Sequence, residues 1–200
     1  MMRLFDLLFP PREDELRVRK TSTEELQTDM NARVVPSTRP ATTALLPFED
    51  VRVRAAIHEA KYHDNPHAHR LLASALQAYM RTEKVDATGC VVIPIPLARS
   101  RHKKRGFNQV ERIALRVPLP LTIDTTLLIR TRETRSQVSL TRIEREANMK
   151  DAFSVVRTLN PEKIYILLDD VLTTGATLQA GIDALRAAGA QNILPIAFAH

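Results

Sequence analysis

The sequence predicts an α/β fold built on a mainly parallel sheet. Apolar runs typical of strands lie near residues 91, 128, 165 and 194, and segments with helical spacing separate them. This alternation is characteristic of parallel strands that are joined by crossover helices. One run, residues 164–168, is apolar without interruption, as expected for a strand that is buried on both faces. We therefore expect the ligand-binding residues at the carboxyl ends of these strands.

The 200-residue chain has the composition of a globular protein, with 44% apolar and 26% charged residues. Its net charge of +6 and pI of about 9.8 favour polyanionic partners, although charge alone does not choose between phosphorylated substrates and nucleic acid. The single cysteine, Cys90, excludes an internal disulfide and suits a reducing compartment, so we expect a cytoplasmic protein. No apolar run reaches the roughly 20 residues of a membrane span, and we expect no membrane insertion.

We divide the chain into an N-terminal extension, residues 1–47, and a domain, residues 48–200. Residues 2–9 have the pattern of a short amphipathic helix, which a Pro-Pro pair ends. Residues 12–30 are strongly charged and contain few apolar residues, which favours a solvated helix or a partly disordered segment. Residues 34–47 are rich in proline and threonine and are typical of an extended linker.

Apolar residues at helical spacing then predict one helix over residues 49–61 and a second over about 66–81, with Asn65 as its N-cap. Four histidines fall in this region: His58, His63, His67 and His69. The Asn-Pro break separates His63 from His67 on the two helices. We therefore expect solvated surface histidines rather than a metal site.

The strand near residue 91 ends at Pro94 and Pro96, which interrupt the ladder of hydrogen bonds. The following basic residues are Arg99, Arg101, Lys103, Lys104 and Arg105. A solvated surface loop has this pattern too. In a fold that holds a phosphate nearby, a pyrophosphate site is the better interpretation, and the same residues are candidates for contacts with nucleic-acid phosphates.

The remaining elements follow the same patterns. Residues 121–129 predict one or two strands, residues 130–138 an exposed, mobile basic loop, and residues 140–149 a charged helix. Helical spacing resumes at Ala176 and stops at Gly189, a residue that suits a left-handed C-terminal cap.

The most informative stretch is the turn that follows the strand at 164–168. Asp169 and Asp170 come where the strand should leave the core, and a short loop follows: Thr173, Thr174, Gly175, Ala176 and Thr177. The N–H groups at a helix start attract phosphate, and glycine allows the backbone to approach it. Neighbouring carboxylates need cations or hydroxyl donors, which a ribose diol with Mg²⁺ nearby would supply. The turn predicts a sugar-phosphate site in which Asp169 and Asp170 meet Mg²⁺ mostly through ligand or water.

This turn resembles the phosphoribosyl pyrophosphate (PRPP) motif of the type I phosphoribosyltransferases. The resemblance implies that Asp169 and Asp170 hold the ribose hydroxyls and that residues 173–177 hold the 5′-phosphate. Hypoxanthine–guanine transferases resemble this loop but place an acid where this chain has Thr173. The acceptor is therefore another amine, or there is none.

The resemblance also implies the parts that would surround the leaving pyrophosphate. The pyrophosphate loop would be formed by Ile95, Pro96, Leu97 and Arg99. Residues 130–137 would be a flexible hood that closes over PRPP, and its Arg132 and Arg135 would act in catalysis with the two aspartates.

Further segments resemble the ComF family, phosphoribosyltransferase-like proteins that are linked to bacterial competence. They include Ile-His-Glu-Ala-Lys-Tyr from residue 57, Ile-Pro-Ile-Pro-Leu from residue 93 and Arg-Gly-Phe-Asn-Gln from residue 105. The resemblance implies uptake of transforming single-stranded DNA alongside a helicase partner. The family usually carries a cysteine-rich zinc ribbon near the N-terminus, but residues 12–40 contain no cysteine, so we expect no zinc.

Two functional interpretations stay open. As an enzyme, the protein would bind PRPP with Mg²⁺ and transfer its phosphoribosyl group to a nitrogen acceptor. As a binding module of the competence machinery, it would sense PRPP or hold single-stranded DNA, although only Phe107 is available there for stacking on bases. A PRPP-responsive regulator of transcription is a weaker third option, because no helix-turn-helix pattern is present.

Overall fold

A computed structural model describes residues 11–131, 149 and 151–200. The strands are β1 (Arg33–Val35), β2 (Thr42–Leu46), β3 (Cys90–Pro94), β4 (Thr122–Ile123), β5 (Leu128–Arg130), β6 (Phe153–Val155), β7 (Ile164–Val171) and β8 (Asn192–Ala199). The helices are α1 (Glu13–Lys20), α2 (Thr23–Thr28), α3 (Val51–Tyr62), α4 (Pro66–Thr82), α5 (Arg99–Arg105), α6 (Gln109–Ala114) and α7 (Ala176–Ala187). None of the described helices has the length and apolarity that a membrane crossing requires.

Six strands form the main sheet in the order β1-β2-β8-β7-β3-β4. All neighbours in it are parallel except β1 and β2. Side chains of β7 alternate between two apolar layers: Ile166 and Leu168 pack with α4, whereas Tyr165 and Leu167 pack with α7. Burial on both faces explains the uninterrupted apolar run and confirms the predicted α/β fold with a mainly parallel sheet.

Two predictions about the strands are wrong. The strand near residue 128 is not part of the main sheet, because β5 pairs with β6 in a separate antiparallel ribbon. The stretch 34–47 is not simply an extended linker, since β2 lies in the sheet, is buried along its whole length and pairs with β8. Its prolines and threonines gave it the composition of a linker, whereas the pairing that buries it comes from the far end of the chain.

The charged segment 12–30 is also more ordered than its composition predicts. It forms α1 and α2, and each buries one apolar residue, Val18 and Leu26, in the core. Arg12 reaches from the start of α1 to Glu59 on α3, where its Nε and Nη2 donate to the two carboxylate oxygens at 3.0 and 2.9 Å. The helices expected over 2–9 and 140–149 lie outside the described residues, apart from Met149.

Other local predictions are confirmed. Helices α3 and α4 lie where apolar spacing puts them, and the Asn65 side chain accepts from the N–H groups of His67 and Ala68. The interpretation of the basic stretch after Pro96 as a loop is wrong, because this stretch forms the short helix α5, which Gly106 ends with a φ of +81°.

Replacing Arg12 by alanine should lower the free energy of unfolding by about 2 kcal/mol. The Glu59 side chain has no exposed surface, so losing Arg12 leaves a buried charge that keeps a hydrogen bond from Asn65 and a more distant contact with His63. The half-exposed guanidinium keeps the cost below that of a fully buried pair. Urea denaturation would measure it. Arg17→Ala, which breaks an exposed pair with Glu13 on the same helix, should cost less than about 0.5 kcal/mol.

Candidate functional site

The carboxyl ends of the parallel strands surround a cavity of about 790 Å³. It is lined by residues 169–178, which run from the end of β7 through the following turn into α7, and by residues 95–97 in the turn after β3. Helix α3 forms a further wall and α5 another. The basic side chains that line the cavity are Arg54, Lys61, Arg101, Lys104, Arg105 and Arg130, against the carboxylates of Asp169 and Asp170. This excess of positive charge suits a ligand with several anionic groups.

The two aspartates have different surroundings. Asp170 is 7% exposed, and its Oδ2 accepts from Gln109 Nε2 at 2.5 Å while it lies 2.9 Å from Lys61 Nζ. Asp169 is half-buried, and its Oδ1 accepts from the N–H of Asp170 at 2.8 Å. Both residues line the cavity, but Asp170 already has two side-chain partners from the protein.

The pKa values of the two carboxyl groups are shifted in opposite directions, because their surroundings differ. Burial raises the pKa of Asp169 to about 7, and the negative charge of Asp170 adds to the effect. Burial opposes the charge of Asp170 as well, but the Lys61 ammonium and the hydrogen bonds from Lys61 and Gln109 outweigh it and lower its pKa. Asp170 is therefore a fixed anion at neutral pH, whereas Asp169 gains from any hydroxyl donor or cation that enters the cavity.

The predicted phosphate loop lies between β7 and α7. Gly175 has a φ of +80° and stands at the N-cap position of α7. A Cβ atom on Gly175 would lie 2.8 Å from the carbonyl oxygen of Ser37, in the turn between β1 and β2. Thr173 is exposed, Thr174 and Thr177 are half-buried, and Gly175 and Ala176 are buried, and all of them line the cavity. Threonine hydroxyls and the start of a helix, both of which suit a phosphate, therefore lie at the cavity, and the Ala176 N–H donates to Thr174 Oγ1 at 3.4 Å.

The residues predicted for the pyrophosphate loop divide between two cavities. Ile95, Pro96 and Leu97 line the large cavity, but Arg99 does not. Arg99 lines a separate cavity of about 360 Å³, which shares Pro96 and Leu97 with the first.

Helix α5 explains this division, because its basic residues point to both sides. On one face, Arg101, Lys104 and Arg105 line the large cavity, and on the other, Arg99, His102 and Lys103 line the smaller one. The sequence correctly indicates a basic element at this point. It could not separate the two faces without the knowledge that the element is a helix.

This geometry predicts different roles for Arg101 and Arg99. Arg101→Ala should weaken the binding of inorganic pyrophosphate about fivefold to tenfold, because a charged donor leaves the cavity of the acid pair. Arg99→Ala removes the same charge from the other face and should change the affinity by less than about twofold. Calorimetry on the two single variants provides the comparison, and equal effects would contradict the assignment of the two faces.

Sequence reasoning missed the contribution of α3. Five of its residues line the cavity at helical spacing: Arg54, Ile57, His58, Lys61 and Tyr62. The Arg105 guanidinium lies 5.1 Å from the centre of the Tyr62 ring, so this wall also contacts α5. The i, i+3, i+4, i+7, i+8 pattern was visible in the sequence, but nothing local indicated that this face lies toward the aspartates rather than solvent.

The histidines near α3 have more varied environments than predicted. His69 is fully buried, with Nε2 3.4 Å from the carbonyl oxygen of Ala60, so the expectation of a solvated residue is wrong there. The ligand atoms of His58, Glu59 and His63 lie within 4.8 Å of one another. Arg12 occupies both carboxylate oxygens of Glu59, which makes this group a poor cation site.

The acid pair fits Mg²⁺ only in part. Carboxylate oxygens are the ligands that Mg²⁺ prefers, and Asp169 offers one. The Lys61 ammonium already neutralises Asp170 Oδ2, so the donor set suits an ion that is held mainly by an anionic ligand. Arg132 and Arg135, the predicted catalytic arginines, lie outside the described residues.

The sequence matches no protein-family model and no curated protein sequence. Among solved structures, it is similar to a hypoxanthine phosphoribosyltransferase from Staphylococcus aureus in a tetragonal crystal form, with 12% identity and a TM-score of 0.40. It is also similar to a structure described as the allosteric regulatory enzyme of purine biosynthesis, with 20% identity and a TM-score of 0.43. These matches cover 66% and 70% of this chain, and 63% and 30% of the respective proteins. The chain thus spans less than two thirds of the length of either.

Proposed function

We propose that this protein is a phosphoribosyltransferase that binds PRPP with Mg²⁺ and transfers the phosphoribosyl group to a nitrogen acceptor. The observation that supports the proposal is the meeting of three groups at one cavity. The cavity is lined by the two aspartates, by the glycine turn at the start of α7 and by the face of α5 that carries Arg101, Lys104 and Arg105. Together they match the diol, the 5′-phosphate and the diphosphate of one donor molecule.

In this proposal each part of the cavity has one role. Residues 173–177 bind the 5′-phosphate, and Asp169 and Asp170 accept hydrogen bonds from the ribose hydroxyls. Arg101 and Lys104 bind the diphosphate, whose bond to C1 breaks with the electron pair leaving on oxygen. The acceptor nitrogen bonds to C1 and loses its proton, which the departing diphosphate accepts. Mg²⁺, when bound with the diphosphate, neutralises its charge and makes it a better leaving group.

Residues at the edge of the described chain complete the proposal. Arg130 lines the cavity at the end of β5 and leads into the stretch that holds Arg132 and Arg135. We assign these two arginines to the closed state of the site, in which they would stabilise the departing diphosphate and exclude water.

Titration calorimetry with PRPP and Mg²⁺ tests the proposal directly. The natural protein should bind PRPP, and the double variant Asp169→Asn/Asp170→Asn should lose most of that affinity. Release of pyrophosphate when amines and nucleobases are offered to the PRPP complex would then identify the acceptor class. If saturating PRPP produces no heat and no shift in melting temperature, the proposal fails.

The opposite face of α5, which carries Arg99, His102 and Lys103, supports a second candidate function, the binding of single-stranded DNA. Arg99, His102 and Lys103 line a cavity of their own, away from the acid pair. If they hold DNA phosphates, affinity should fall steeply with salt, and Arg99→Ala/Lys103→Ala should flatten that slope. DNA affinity that is immeasurable at low salt would remove this candidate. The competence role, the helicase partner, the cytoplasmic location and the boundary near residue 47 remain predictions.

A further inference from the structure

Three elements that are distant in sequence converge on one carboxylate oxygen. Asp170 Oδ2 at the end of β7 lies 2.9 Å from Lys61 Nζ, in the last turn of α3. It also accepts from Nε2 of Gln109, the first residue of α6, at 2.5 Å. Gln109 is itself held, because its Oε1 accepts from Arg105 Nη1 at 2.9 Å. Asp170 and Gln109 are buried, and Lys61 is 25% exposed through its side chain.

These contacts fix the orientation of the Asp170 side chain. They hold one carboxylate oxygen toward the protein and so restrict rotation of the group. Asp170 also lines the cavity beside Asp169. A carboxylate held in this way presents its remaining acceptor sites in a defined direction, which is what recognition of one hydroxyl group requires.

We propose that Lys61 and Gln109 are positioning residues that make the cavity selective for a sugar phosphate with its 2-hydroxyl group present. This inference rests on the proposed function, because it concerns the sugar of the proposed donor. They act through Asp170, which they hold so that its carboxylate and Asp169 together meet two neighbouring hydroxyls, and a sugar that lacks one leaves a buried acceptor unpaired.

A purely structural role for the same contacts makes a different prediction. If Lys61 and Gln109 only join α3 and α6 to the sheet, their loss weakens every ligand of the cavity in the same proportion. If they position Asp170, their loss removes the preference for the hydroxylated sugar and changes the binding of a deoxy sugar much less.

The experiment compares ribose 5-phosphate with 2-deoxyribose 5-phosphate by calorimetry. The natural protein should prefer ribose 5-phosphate by about tenfold or more, the ratio expected for one hydrogen bond to a charged acceptor. Lys61→Met should reduce the ratio to less than about threefold, and Lys61→Arg, which keeps the cation, should retain most of it. Lys163→Met makes the same change at an exposed position outside the cavity and should leave the ratio unaltered.

Gln109→Leu is a second route to the same result and covers the case in which Lys61→Met does not fold. An unchanged ratio in the folded variants, or an equal loss of affinity for both sugars, would overturn the inference. A natural protein that binds PRPP but does not distinguish the two sugars would overturn it too, while leaving the proposed function intact. If the natural protein binds neither PRPP nor the sugar phosphates, both this inference and the proposed function fail.

Discussion

Replacing Asp169 by asparagine should stabilise the protein at pH 8 by about 2 kcal/mol while it weakens the binding of PRPP. The folded protein raises the pKa of Asp169 to about 7, so ionising this group costs stability. Below the ordinary aspartate pKa the group is neutral in both states and the cost is absent. As the pH rises from about 4 to about 7, the unfolded chain loses its proton first, and the folded protein loses stability.

The asparagine variant removes this dependence, because the amide stays neutral and keeps an oxygen for the N–H of Asp170. Melting temperatures of the natural protein and the variant should nearly coincide at pH 4 and should differ by about 4–8 °C at pH 8. Asp183→Asn, at an exposed position on α7, should show no such divergence between the two pH values. A difference that is constant from pH 4 to pH 8 would show that Asp169 is not held in an unfavourable charged state.

Replacing Gly175 by alanine should lower the free energy of unfolding by about 2–4 kcal/mol and abolish the binding of ribose 5-phosphate. Two costs combine at this position. A side chain at a φ of +80° is strained by about 1–2 kcal/mol, and the new Cβ would lie 2.8 Å from a backbone oxygen of Ser37. Relief of that contact requires a shift of the loop or of the turn between β1 and β2. A displaced loop no longer holds its N–H groups around a phosphate.

The chain provides a matched control at Gly106. It has nearly the same φ, +81°, but a Cβ there would meet no atom of the described residues within 4 Å. Gly106→Ala should therefore cost only the backbone strain, about 1–2 kcal/mol, and should leave phosphate binding within about twofold. Denaturant titrations and calorimetry on both variants distinguish the effect of backbone strain from the effect of the steric clash with Ser37. Equal effects of the two substitutions would mean that the contact with Ser37 is unimportant.

The sequence was sufficient for those features that depend on neighbouring residues. The buried run of β7, the aspartates at its end, the glycine turn and the start of α7 are contiguous, so their order alone predicts a strand, a turn and a helix. The hypothesis of a sugar-phosphate site could be formed for the same reason. The N-cap at Asn65 was equally local, because it depends on the next three residues.

The features that the sequence did not reveal depend on contacts between distant segments. Gln109 and Asp170 are 61 residues apart, and neither has a local pattern that specifies the other. Strand β2 has a burial that comes entirely from its place beside β8. Charge on α1 suggested exposure, yet the helix buries one valine, and Arg12 and Asp14 at its start contact Glu59 and His58 of α3. The composition of such a segment reflects mainly its solvent-exposed residues. It gives little information about the few residues that pack against the rest of the protein.

The position of β8 has a consequence for how this protein acquires its shape. This strand lies between β2 and β7, so the N-terminal strands and the body of the sheet share no direct edge. During synthesis, β1 and β2 must wait for residues 192–199 to emerge before they can join the sheet. Such long-range closure slows folding, and in the meantime it leaves the edge of β2 that will face β8 unpaired and open to association with other nascent chains.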